Sequence, residues 1–146
     1  MGDAYFRPSD QAQGLANYPH ARTVPAGRGR CIYVSGTSSR QGDGTFVGAD
    51  PVAGGLDIGL QSAAVLRNVD VVIRGASRGK ATIANVVDAT VFLTDIKAHY
   101  DGMNREWNRV WPDPAAAPAR TTVEVRALPR KEILVEVKCT AYYEDV

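Results

Sequence analysis

Two polar side chains near the end of the chain are of the right types to do chemistry together. Arg120 stands in PARTTVEV, residues 118–125, directly behind a proline turn, and Glu136 stands in LVEVKCTAY, residues 134–142. An arginine fork grips a carboxylate with two hydrogen bonds, and a carboxylate within reach of a water can take its proton during hydrolysis. Under period-two alternation Arg120, Thr122, Glu124 and Arg126 share one strand face, and Thr121, Val123 and Val125 share the other. On the last strand Ile133, Val135, Val137, Cys139 and Ala141 form an apolar face, while Leu134, Glu136, Lys138, Thr140 and Tyr142 form a mixed one. If the two strands pair, both polar sets can lie on one side of the sheet, with Arg120 near Glu136. The plain alternative is a solvated cross-strand charge pattern, worth about 0.2–1 kcal/mol per pair.

Other chemistries find less support. His20 and His99 are the only histidines, far apart in sequence, and VSGTS lacks the GxSxG pattern of a nucleophile elbow. GRGR, residues 27–30, precedes a strand instead of following one, so it is not a dinucleotide fingerprint. Cys31 and Cys139 lie in apolar, strand-like runs and read as buried free thiols. No Cys/His cluster has metal-ligand spacing, so a structural zinc site is not expected. Lys and Arg total 17 against 16 Asp and Glu, a net charge of +1 without a basic run, which disfavours nucleic acid as a partner. No stretch approaches the roughly 20 apolar residues of a membrane span, and no signal-peptide core opens the chain. A cytoplasmic protein is expected.

The elements that must position Arg120 and Glu136 follow from hydrophobic period. The chain's 146 residues, 45% of them hydrophobic, fit one domain, with residues 1–17 as an irregular arm and 18–146 as the folded unit. Two β-like pieces near 21–25 and 30–37 are split by a Gly/Pro turn, and Gly42-Asp43-Gly44 marks a reversal. From Asp57 the period changes: Leu56, Leu60, Ala63, Leu66, Val69, Ile73 and Ala76 form the stripe of an amphipathic helix ending near Gly75 to Gly79. Val87, Ala89, Val91 and Leu93 then mark one strand face. A second helix carries Tyr100, Met103, Trp107, Val110 and Trp111 on one side, and Pro112 and Pro114 stop it. The order ββ-α-β-α-ββ predicts an α+β fold: one mixed sheet with both helices on one face. The opposite face is solvated or packs against another subunit.

IYVSGTSS, VVDATVFLTDI, MNREWNRVW, PARTTVEVRALP and LVEVKCTAY stand in the order and spacing of the Rid (reactive intermediate deaminase, YjgF-like) family. The chain resembles that family over roughly residues 18–143, with "PAR" and the last "VEV" the most specific parts. YPHAR, VSGTSSR and TFVGAD are similar to its 2-aminomuconate deaminase branch. The resemblance implies a chorismate-mutase-like α+β fold, a homotrimer with active sites in clefts between subunits, and hydrolysis of carboxylate-bearing enamines and imines without metal or cofactor. It implies that Arg120 binds the substrate carboxylate and Glu136 holds the hydrolytic water. Tyr18, Ser35, Gly36 and Asn104 would line the substrate pocket. Thr122 stands where many members have Cys, and Trp107 where Tyr is common; both would shape that pocket. Three alternatives remain open: a general 2-imino acid deaminase, a paralogue recruited to a specialised pathway, and a non-catalytic trimer that binds small carboxylates.

Overall fold

The chain runs β1 (Ala4–Tyr5), β2 (Ala21–Arg22), β3 (Gly29–Thr37), α1 (Ile58–Ala76), a 3-10 turn (Ile83–Asn85), β4 (Val86–Leu93), α2 (Ile96–Val110), β5 (Ala119–Glu124) and β6 (Val135–Glu144) in a computed structural model that describes residues 2–11, 16–25 and 27–145. The last four strands make one mixed sheet in the order β3-β6-β4-β5. β6 runs antiparallel to both β3 and β4, and β4 runs parallel to β5. A parallel pair needs a long crossover, and α2 supplies it. The expected α+β architecture, with two helices over a mixed sheet, is the one observed. The arm is not wholly irregular, because β1 and β2 pair as a two-residue ribbon. Positions 12–15 of the arm, and position 26 between the two β-like pieces of the sequence, lie outside the described residues. Among those residues no helix is long and apolar enough to cross a membrane.

Capping side chains set where the helices start. Asp57 accepts the Leu60 N–H at 2.9 Å to open α1, and Asp95 accepts the Ala98 N–H at 3.0 Å to open α2. Glu124 at the end of β5 accepts the Ile96 N–H at 2.9 Å, which ties α2 to that strand. The helices bury Val65, Leu66, Val69, Ile73, Met103 and Trp107 against Val34, Ala89, Val91, Leu93, Val135, Val137, Cys139 and Ala141 of the sheet. Every other residue of β6 therefore faces the helices, as its alternation predicts.

The predicted faces need four corrections. Leu56, just before α1, and Leu60 and Ala76 on it are exposed, and Gln61 and Ser62 are buried instead. Gln61 is satisfied there: its Oε1 accepts the Leu134 N–H at 2.9 Å and its Nε2 donates to the Glu132 carbonyl at 2.7 Å. On β4, Val86 takes the core place expected for Val87, because the β4–β6 register shifts between Val86 and Asp88. On α2, Val110 turns outward and Trp111, just past the helix, fills the core. Only one of the two thiols is buried. Cys139 is in the core, where burial pushes its pKa up to about 12, whereas Cys31 is exposed on the open sheet face.

Gly48 packs against this junction with φ 77°, and a Cβ there would lie 2.8 Å from the Asp57 carbonyl oxygen. Gln61 thus holds the loop before α1 and the entry to β6 together. Replacing it with leucine leaves two backbone groups unpaired in an apolar setting. Gln61→Leu is expected to lower the unfolding free energy in urea by roughly 2–4 kcal/mol; an unchanged midpoint would show that the loops rearrange to repair the bonds.

Candidate active site: a caged arginine and a carboxylate on the opposite face

Strand register decides where Arg120 points. β5 is an edge strand bonded only to β4, with Arg120 opposite Ala89, Thr122 opposite Val91 and Glu124 opposite Leu93. Those three β4 residues face the helices, so Arg120, Thr122 and Glu124 face α2. Pro118 is fully buried and fixes the chain just before the arginine. The guanidinium then lies among aromatic rings: its Cζ is 4.8 Å from the ring centres of both Tyr18 and Trp107 and 5.8 Å from that of Tyr100. Each ring face attracts the cation.

The polar partners of this cation are weak. Nη1 meets the Met103 sulfur at 3.6 Å and Nη2 meets the Tyr100 hydroxyl at 3.4 Å, while Nε is buried without a partner. Among the described residues no carboxylate lies within ion-pair distance of Arg120. Burial lowers the Arg120 pKa, and Tyr100 and Tyr18 oppose that shift. An arginine nevertheless stays charged. A desolvated cation without a counter-charge is costly, and an incoming carboxylate would relieve that cost.

The surrounding face of α2 is built on helical period. Tyr100, Met103, Asn104 and Trp107 stand at i, i+3, i+4 and i+7 and so share one side. The Asn104 Oδ1 and Thr122 Oγ1 are both buried without hydrogen-bond partners. Buried polar atoms are normally paired, so these two and the Arg120 Nε mark a place where ligand or water atoms would be welcome. Sequence period places Tyr100 and Met103 only on one side of the second helix. Their position on the Asn104 side of the same helix is the signal that would have placed them at the arginine.

Glu136 lies elsewhere. It pairs with Phe92, on the sheet face away from the helices. Gly36 of β3 is its neighbour: a Cβ on Gly36 would meet the Glu136 Oε1 at 2.5 Å and push the carboxylate end aside. Ser35 is exposed alongside. Glu136 is half-buried, and burial raises its carboxyl pKa. The expected closeness of Arg120 and Glu136 is therefore incorrect within one chain. β4 separates β5 from β6, and the register carried across it puts the two residues on opposite faces. Tyr18, Trp107 and Arg120 meet, with Asn104 and Thr122 on the same facing elements; Ser35, Gly36 and Glu136 form a second group. The open face also carries Tyr33, 76% exposed, and Val123, 37% exposed. Among the described residues no group of three or more His, Cys, Asp or Glu is placed to hold a metal ion.

Comparison with known proteins fits this architecture. The family described as Endoribonuclease L-PSP matches residues 10–143. A RutC family protein of Synechocystis is 38% identical over 90 residues, which cover 62% of this chain and 65% of that relative. A RutC family protein of Aquifex aeolicus is 31% identical over 94 residues, covering 62% of this chain and 72% of its own length. The chain thus spans about two thirds of those relatives. Among solved structures, YyfB from Yersinia pestis, described as a conserved Rid family protein of unknown function, superposes with a TM-score of 0.76 at 25% identity, over 97% of this chain and 98% of that one. NMB1025 from Neisseria meningitidis, described as a member of the YjgF family, gives 0.60 at 27% identity, over 100% and 98%. With its sheet order, its two helices on one face and a match along nearly its whole length, the chain belongs to the Endoribonuclease L-PSP family, the Rid or YjgF group.

Proposed function

We propose that this chain is a hydrolytic deaminase of enamines and imines that carry a carboxylate, with 2-aminomuconate or a close analogue as substrate. Deaminases of imines and enamines occur among members of the family. One observation carries the reading: a desolvated guanidinium in a frame of three rings, with no carboxylate among the described residues placed to neutralise it. This site fits one planar carboxylate better than a track of phosphates, which an RNA-cleaving protein of this family would have to grip.

Arg120 would bind the substrate carboxylate beside the reacting carbon. Holding the reactants in place makes the attack effectively unimolecular. The enamine tautomerises to an imine, whose carbon accepts the oxygen of a water held by Glu136. Glu136 takes one proton from that water. That proton passes to the nitrogen to give the carbinolamine, whose hydroxyl proton then moves to the amine through Glu136; the C–N bond breaks, and ammonia leaves as the carbonyl forms. Burial of Glu136 favours its proton-accepting role, because a raised pKa makes a stronger base at neutral pH. Asn104 and Thr122 would supply polar contacts at the anchored end, and Trp107 and Tyr18 its walls. Neither metal nor cofactor enters these steps.

Arg120 and Glu136 reach one substrate only if two copies share it. In the arrangement proposed, a homotrimer sets the open face of one copy, with Ser35, Gly36 and Glu136, against the β5 edge of the next, with Arg120. The exposed Tyr33 and Val123 on that face support such burial.

Ammonia release from 2-aminomuconate generated in situ tests the function. Arg120→Ala is expected to lower kcat/KM by about 10²-fold or more without loss of folding, and Arg120→Lys to recover little, because lysine lacks the planar fork. Undiminished kinetics in Arg120→Ala would remove the anchor. Glu136→Gln is expected to lower kcat mainly, by about 10²–10⁴-fold; an unaltered kcat would show that another group holds the water.

Glu136 also links stability to pH. Its folded-state pKa is raised, so its stabilising contribution is complete below the ordinary carboxyl pKa and is lost as pH rises through the folded value. Glu136→Gln stays neutral throughout. It is expected to raise Tm near pH 7 and to leave Tm unchanged near about pH 3, where both side chains are uncharged. Equal effects at both pH values would contradict the shift.

A further inference from the structure

Asn17 makes four hydrogen bonds to residues 90 to 95 positions away in sequence. Its backbone N–H donates to the Asn108 Oδ1 at 3.1 Å. Its amide Nδ2 donates to the Trp111 carbonyl at 2.8 Å and the Pro112 carbonyl at 3.2 Å. Its own carbonyl accepts the Trp107 indole N–H at 2.8 Å. The carbonyls at a helix C-terminus lack intrahelical partners. Asn17 therefore closes the end of α2 and, with the same side chain, pins the segment that leads into the fold.

Arg22 repeats the arrangement five residues on. Its Nε donates to the Ala117 carbonyl at 3.1 Å, and its Nη2 donates to Ala117 at 2.9 Å and also to the Ala115 carbonyl. Between the two anchors Pro19 is fully buried, and the Tyr18 ring lies on the Arg120 guanidinium. Trp107 joins both functions: its ring packs on the guanidinium and its N–H holds Asn17.

We propose that Asn17 is a positioning residue that seats Tyr18 as a cover on Arg120, so that the strap from residue 16 to residue 22 sets how readily an anion reaches the guanidinium and how tightly it is held. This rests on reading Arg120 as the anion anchor. A ring stacked on a guanidinium face leaves the in-plane N–H edge for a carboxylate and keeps water from the cation, which strengthens the attraction. Releasing Asn17 frees the ring and lets water in. Asn17→Asp should act like Asn17→Ala, because a carboxylate cannot donate to the two helix-end carbonyls.

Two readings separate the cover from the anchor. The first needs no ligand: the rate at which phenylglyoxal modifies Arg120, resolved by peptide mass spectrometry, with exposed Arg105 as internal reference. In Asn17→Ala and Asn17→Asp the Arg120 rate relative to Arg105 is expected to rise about tenfold, the scale of one or two lost hydrogen bonds. Trp107→Phe, which keeps a ring but loses the N–H donor, is expected to rise less. Unchanged Arg120 labelling in folded Asn17 variants overturns the proposal. The second reading is the calorimetric Kd for cis,cis-muconate, expected to weaken about fivefold to tenfold in Asn17→Ala. Faster labelling with an unchanged Kd overturns the claim that the strap governs binding. No muconate binding by the native protein, with labelling still faster in the variants, leaves the cover supported and removes the anchor reading.

Discussion

The organising constraint is that side chains alternate across a strand and that β4 lies between β5 and β6. Once Ala89, Val91 and Leu93 are committed to the core, Arg120 must face α2 and Glu136 must face away. No side-chain rearrangement short of a register slip can bring them together in one chain. A slip by one residue would expose the entire apolar face of the sheet. The two chemical groups are therefore held apart as firmly as the core is held together, and a shared substrate requires a second copy.

The same constraint accounts for the setting of the arginine. β5 is an edge strand, and α2 crosses directly above it, so the guanidinium enters the layer between helix and sheet near its rim. Aromatic side chains suit that position because they exclude water and still attract a cation on their faces. Met103 and Tyr100 offer only long contacts to the N–H groups. A nearby aspartate or glutamate would have stabilised the folded chain more, and would have filled the place of a ligand.

Much of the fold was legible in sequence because its signals are periodic. The alternation of Val135, Val137, Cys139 and Ala141 marked the apolar face of the last strand, and the prolines after Trp111 ended α2 where they should. Local pattern failed where tertiary contacts override it. Gln61 and Ser62 displace Leu60 from the core because Gln61 meets the backbone of Glu132 and Leu134, some 70 residues on. Cys31 is exposed because its face of β3 is not covered by the helices. The candidate site residues follow from type and from resemblance, and their grouping does not, since which strands neighbour one another cannot be read from period two. Asn17 carried no sequence signal, because its partners are mainly the backbone and indole at the end of a distant helix.

The central claim is that one active site draws Arg120 from one copy and Glu136 from another. Subunit mixing tests it most directly. Arg120→Ala and Glu136→Gln proteins are each nearly inactive on this account. Unfolded together, mixed in equal amounts and reassembled, they should recover about a quarter of native ammonia release, because in a head-to-tail ring one site in four pairs an intact Arg120 with an intact Glu136. A mixture no more active than its parents, in oligomers shown to have exchanged subunits, would contradict the shared site.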